Sequence, residues 1–232
     1  MISTILLTMT LADPTTYLLP VAVELQKAWP ANRTVNVVCH GHSVPAGYAQ
    51  TPKVDTFNAY PHLLHLHLKE RFPKAVINVI VTAIGGENSV QGAQRFDADV
   101  LSLRPDVVTI DYALNDRSVP LEQTKKAWTE MVEKAKAKAK AKGIKVILLT
   151  PSPDLNANIL SPNDPLAQHA EQVRAIANEE GVGLADTYAR FQELAQSGKK
   201  LEPYMAQSNH PNRAGHDVIV SLLLPWFFDP KP

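Results

Sequence analysis

Val35-Asn36-Val37-Val38-Cys39-His40-Gly41-His42-Ser43-Val44-Pro45 leads from a short apolar, largely β-branched run into a turn that contains glycine and carries a hydroxyl. Val35 to Cys39 reads as a strand, and similar runs recur at Val76 to Val81, Val107 to Asp111, Lys145 to Thr150 and Gly183 to Asp186. Between them lie helical patterns at Tyr60 to Arg71, Leu121 to Lys142 and Pro165 to Glu180, and a last one runs from Asn212 to about Leu224. Strands alternating with longer helices are the signature of repeated βαβ units, so the expected fold is a three-layer α/β/α sandwich around a five-stranded parallel sheet. In the helix from Leu121, residues Trp128, Met131, Val132 and Ala135, with Leu121 and Thr124 upstream, form a stripe that would dock on that sheet.

The 232 residues suit one such domain, expected over residues 31–230 after an N-terminal segment of residues 1–30. Lys plus Arg and Asp plus Glu each number 23, so no broad attraction to nucleic acid is expected and the partner is read as a small or neutral molecule. The Lys-Ala run from Lys134 to Lys142 reads as a solvated helix end, which Gly143 would cap, because no aromatic residues are interleaved for base stacking. Cys39 is the single cysteine; flanked by Val37 and Val38, it reads as a buried strand thiol rather than a nucleophile. Residues 1–12 form a short, signal-like apolar run without a preceding basic residue, too short to span a bilayer. Secretion to the periplasm or exterior and retention in the cytoplasm therefore stand level, and stable membrane insertion is not expected.

In an open parallel sheet, ligands bind beyond the carboxyl ends of the strands. After the first strand, Gly41 permits a sharp turn that would expose the Ser43 hydroxyl, making Ser43 a candidate nucleophile. After the second come Gly85 and Gly86, where a backbone N–H can approach a ligand closely. After the third comes Asn115, whose amide is a neutral donor of the kind that suits a developing oxyanion. Near the end, His210 precedes Pro211, which can start the last helix. Singly, each of these is an ordinary turn residue; their order along the chain is the specific feature.

That order resembles the SGNH/GDSL hydrolases, which carry a Gly-Asp-Ser-like block after the first strand, then a glycine, then Gly-x-Asn-Asp, and finally Asp-x-x-His-Pro. The resemblance runs from Val35 to about Val220 and implies a flavodoxin-like strand order 2-1-3-4-5. It implies that Ser43 attacks an acyl carbonyl while His210 takes and returns the proton. The backbone N–H groups of Ser43 and Gly86 and the side chain of Asn115 would form the oxyanion hole.

Three positions depart from the family pattern. His42 stands where the block usually has aspartate, and Ala113 replaces the glycine of Gly-x-Asn-Asp. Gln207 stands three residues before His210, where the family has the aspartate that orients the histidine. The Gln207 carbonyl could accept the histidine Nδ1–H, and Asp186, at the end of the fifth predicted strand, is the other candidate for orienting His210. His40 and His42 alternate along an extended segment, but no recognisable ligand spacing accompanies them, so no metal is expected and no cofactor is needed.

The reading is a serine esterase of short-chain carboxylic esters, with O-acetyl groups on carbohydrates as the leading substrates. The alternatives are a lysophospholipase or thioesterase of the same superfamily, or a noncatalytic member that binds an acylated glycan. The oligomeric state is left open.

Overall fold

The computed structural model describes residues 12–138 and 143–228. Two short helices, α1 (Pro14–Tyr17) and α2 (Leu19–Leu25), precede the central strand β1 (Thr34–Gly41). Then follow α3 (Ser43–Ala46), α4 (Tyr60–Arg71), β2 (Val76–Val81), α5 (Ser89–Asp99), β3 (Val107–Asp111), α6 (Ala113–Asp116) and α7 (Leu121–Ala137). The remainder is β4 (Lys145–Leu149), α8 (Pro165–Glu180), β5 (Gly183–Ala185), α9 (Thr187–Gln196), a hairpin of β6 (Met205–Gln207) with β7 (His210–Pro211), and α10 (Arg213–Phe227).

Strands β1 to β5 form one sheet in the order β2-β1-β3-β4-β5, and every pairing is parallel. This is the expected order. Since β1 has β2 on one side and β3 on the other, the chain reverses its direction of travel across the sheet at β1. The crevice between the carboxyl ends of β1 and β3 is therefore the topological switch point. Helices α4 and α10 bury Leu63, Leu64, Leu68, Leu223 and Phe227 against one face of the sheet. Helices α5, α7 and α8 bury Phe96, Trp128, Met131 and Ile176 against the other. β3 is buried along its full length, as a central strand covered on both faces must be.

The expected stripe on α7 is buried at Thr124, Trp128, Met131, Val132 and Ala135, joined by Ala127, but Leu121 is 38% exposed. Leu121 is the first residue of the helix, where the chain has not yet reached the sheet. α7 ends at Ala137, and residues 139–142 of the expected helix lie outside the described residues, as does most of the signal-like run 1–12. In the segment before residue 31, Leu18, Val21 and Leu25 are buried in the same core as β1 and α10.

Of the helices that the periodicity reading did not include, α5 and α9 are the longest. α5 has glycine at position 92, inside the helix, because the Tyr112 ring packs there and would collide with a Cβ. α9 begins where Asp186 caps it by accepting the Ala189 N–H.

Candidate active site

Ser43 opens α3 immediately beyond β1. His42 is the N-cap of this one-turn helix, its Nδ1 accepting the Val44 N–H, and Gly47 closes it with φ of 91°. Gly41 is required one step earlier, since a Cβ there would collide with the Asp111 carbonyl oxygen on β3. The turn is thus set directly over the β1–β3 crevice.

His210 comes from the β6–β7 hairpin, and its Nε2 lies 2.9 Å from Ser43 Oγ. Its Nδ1 lies 3.0 Å from the carbonyl oxygen of Ala49. A carbonyl can only accept, so Nδ1 carries the proton and Nε2 is left with a lone pair toward the serine hydroxyl. Ala49 belongs to the loop after α3, where its own N–H donates to the Lys53 carbonyl at 3.0 Å. Burial is the leading influence on the His210 imidazole and pushes its pKa below the usual histidine value; the Ala49 bond and the charge of Asp154 work in the opposite sense.

Neither residue suggested for orienting His210 contacts it. Gln207 turns its carbonyl to the Thr51 N–H at 2.9 Å and its amide to Asn209 at 2.9 Å. The physical reason is the antiparallel hairpin: Gln207 pairs with His210 along the backbone, and its side chain is taken by the loop across from it. Asp186 is bound by Arg174, Thr150 and the Ala189 N–H, all at the far end of the sheet. The backbone carbonyl of Ala49, which no sequence pattern marks, stands at Nδ1 instead.

The glycine loop after β2 is drawn over β1 by the Ile84 N–H donating to the Gly41 carbonyl at 3.0 Å. Gly85 packs against Tyr48, with an added Cβ 2.9 Å from the ring, and Tyr48 in turn lies 5.9 Å, ring to ring, from His210. Gly86 adopts φ of 85° and faces open space. Asn115, in α6 after β3, donates one amide hydrogen to the Glu87 carbonyl at 2.8 Å, which ties it to this loop and leaves its second N–H for a ligand. No hydrogen-bond acceptor is found for the Ser43 or Gly86 N–H among the described residues. Asp116 binds the Ser89 N–H at 2.8 Å and the Trp128 indole at 2.7 Å, so it joins α5 and α7 beneath the site.

His40 and His42 do not share a ligand. His40 bonds Thr82, the Gly92 carbonyl and the Tyr112 hydroxyl, and burial lowers its pKa to about 4. His42 Nδ1 accepts the Val44 N–H and lies 3.3 Å from Ser43 Oγ. Among the described residues, no group of three or more His, Cys, Asp or Glu side chains is arranged to hold a metal. Cys39 is fully buried and its thiol is pushed up to about 12 by desolvation.

A serine, an acceptor nitrogen on a tautomerically fixed histidine and a glycine loop tied to an asparagine therefore meet at the switch point. The family profile described as GDSL-like Lipase/Acylhydrolase matches residues 39–218. The chain belongs to this GDSL-like family. No curated protein sequence matches the GDSL-like chain. Among solved structures it is similar to a two-domain esterase (CEX) active on acetylated mannans, with a TM-score of 0.73 and 21% identity over 94% of this chain. The match takes in 53% of that protein, so the chain spans about half of it. It is also similar to a catalytic mutant of Axe2, an acetylxylan esterase from Geobacillus stearothermophilus, with a TM-score of 0.71 and 20% identity over 88% of this chain and 97% of the other. At such identities these likenesses bear on the fold of the GDSL-like domain, which is the SGNH hydrolase fold.

Loops bordering the site carry further groups that had no readable pattern. Arg117, two residues after Asn115, pairs with the buried carboxylate of Asp154. The Leu155 N–H donates to the Ser208 carbonyl at 2.7 Å, so the proline-rich loop after β4 is fastened to the hairpin that bears His210.

Proposed function

We propose that this chain is a serine esterase that hydrolyses short-chain carboxylic esters, with acetyl groups on carbohydrates as the principal substrates. The observation that carries the reading is the 2.9 Å contact between Ser43 Oγ and a His210 Nε2 whose lone pair is fixed by the Ala49 carbonyl. An alcohol is a weak nucleophile without an adjacent base, and this contact supplies one. As Oγ bonds the acyl carbon, its proton passes to Nε2. The carbonyl oxygen, now an oxyanion, is held by the N–H groups of Ser43 and Gly86 and by the Asn115 amide. His210 then protonates the departing alcohol, and water resolves the acyl-serine by the same steps in reverse.

The acetyl-carbohydrate assignment is supported by the esterases of acetylated mannan and xylan whose folds this chain shares. The half-buried Tyr48 ring beside His210 offers a flat apolar wall suited to a small acyl group or a sugar face. No helix among the described residues is long and apolar enough to cross a membrane. One observation favours the rival reading, a noncatalytic binder of acylated glycans: among the described residues a main-chain carbonyl, not a carboxylate, stands at His210 Nδ1.

Hydrolysis of 4-nitrophenyl acetate, butyrate and octanoate, and of acetylated xylo- and manno-oligosaccharides, decides between them. An esterase of this kind turns over acetate fastest and loses turnover in Ser43→Ala. Turnover equal to the Ser43→Ala background on every ester would overturn the proposal in favour of the binder. A preference for octanoate would replace it with the lysophospholipase or thioesterase reading.

A further inference from the structure

Ser43 Oγ has a second imidazole in reach. Nδ1 of His42 lies 3.3 Å from it and accepts the Val44 N–H at 3.2 Å. An amide N–H can only donate, so Nδ1 bears a lone pair and the proton of neutral His42 sits on Nε2. That Nε2 is 3.3 Å from Oδ1 of Asp111, an approach within ion-pair range although not aligned as a hydrogen bond. Both side chains are almost fully buried, at 0% and 5% exposure.

The sheet register brings the two together. Gly41 pairs with Asp111 across β1 and β3, and the His42 N–H donates to the Asp111 carbonyl at 3.2 Å. The other acidic groups near these strand ends are engaged elsewhere: Asp116 with Ser89 and Trp128, Asp154 with Arg117, and Asp186 with Arg174. Among the described residues, His42 is the one partner of the Asp111 carboxylate. A buried carboxylate is costly without pairing, and here its partner is the imidazole that touches the nucleophile.

Resting on the esterase reading, we propose that Asp111, acting through His42, supplies the negative charge that is missing behind His210. When the Ser43 proton moves to His210 Nε2, the resulting imidazolium forms in the field of Asp111, carried to the same Oγ by the polarised His42 ring. His42 neither gains nor loses a proton in the step; the proton on His210 leaves with the alcohol. The SGNH pattern has a carboxylate at position 42 itself. In this chain the imidazole takes over the helix cap, and the charge is moved one side chain back, onto β3. Asp111 and His42 are thus positioning residues.

The test is the second-order rate at which a fluorophosphonate labels Ser43, together with kcat, KM and the pH profile on 4-nitrophenyl acetate. Asp111→Asn is expected to slow both labelling and kcat at least tenfold with KM within twofold. It is also expected to move the acid limb of kcat/KM to lower pH, because the His210 cation loses its counter-charge. The groups facing His210 are His42, Asp154 and His216, and those about Asp111 and His42 are Tyr60, Cys39, Tyr112 and Asp116. Burial raises the two tyrosines and the thiol far above the limb, and Asp154 and Asp116 keep their partners in the variant, so the displacement reports Asp111.

The double variant His42→Asp with Asp111→Asn returns a single carboxylate to position 42, where it can cap the Val44 N–H. It is expected to recover labelling to within threefold of the wild type, and it decides the matter if Asp111→Asn alone does not fold. A folded Asp111→Asn labelled at the wild-type rate, or a folded double variant no faster than one-tenth of it, would overturn this inference alone. A wild type that the probe does not label would overturn the esterase reading and this inference with it.

Discussion

The imidazole of His210 is held between Ser43 Oγ at 2.9 Å and the main-chain carbonyl of Ala49 at 3.0 Å. A carbonyl dipole fixes the tautomer as well as a carboxylate would, but it stabilises the imidazolium less. Burial lowers the histidine pKa on top of that. The neutral, proton-accepting form therefore persists to lower pH than for an ordinary histidine near 6.5. The acid limb of kcat/KM for 4-nitrophenyl acetate, with the Ser43→Ala background subtracted, is expected to have its midpoint below pH 6.5. A midpoint at pH 7 or above would show that a carboxylate replaces the Ala49 carbonyl at His210 Nδ1 in solution.

Because Nδ1 is already occupied by Ala49, restoring the family aspartate at position 207 has little to offer. Gln207→Asp also shortens the side chain that accepts the Thr51 N–H at 2.9 Å, loosening the loop that presents Ala49. Steady-state kinetics are expected to show kcat/KM no more than about twofold above wild type. A tenfold gain would mean that the new carboxylate displaces the Ala49 carbonyl.

Asn115→Ala removes the one side-chain donor of the proposed oxyanion hole and unties the Glu87 carbonyl, which it now holds at 2.8 Å. Loss of such a donor costs roughly a hundred- to a thousandfold in kcat. Substrate binding in the ground state draws little on it, so KM is expected to change by less than about threefold. A loss confined to KM would move Asn115 from the reacting centre to substrate binding.

Two buried histidines outside the Ser43–His210 pair tie stability to pH. His216 accepts the Tyr60 N–H at 3.2 Å, and burial lowers its pKa to about 3; His40 is lowered to about 4. In the unfolded chain both titrate near 6.5, so below that pH the unfolded state binds more protons than the folded one. Their contribution to stability is therefore complete above about pH 6.5 and falls as pH drops toward 3 to 4. Thermal unfolding followed from pH 7.5 to 4.5 is expected to show a declining Tm, and His216→Gln to flatten part of that decline. A Tm independent of pH over this range would show that neither ring is buried as a neutral group.

The parallel sheet and the boundaries of α4 and α8 were legible because they depend on local alternation of β-branched runs with amphipathic helices, whereas the strand order followed from the family resemblance. Ser43, His210 and Asn115 were legible as candidates because each follows a strand end or precedes a helix, where a parallel fold gathers its chemistry. Gln207 misled because spacing from His210 says nothing about side-chain direction in a bulged hairpin. Asp111 did leave a trace, a carboxylate closing the otherwise uncharged run Val107-Val108-Thr109-Ile110, yet its partner could not be found along the chain.

The sequence by itself determined the α/β architecture, membership of the GDSL-like family and the nucleophile–histidine candidates, since periodicity and motif order are properties of neighbouring residues. Only the tertiary structure decided that Ala49 stands at His210 Nδ1, that Gln207 turns away to Thr51, and that His42 meets Asp111. Those contacts follow from strand register and loop closure, which bring together groups far apart in the chain, and a backbone carbonyl carries no residue identity by which it could be recognised.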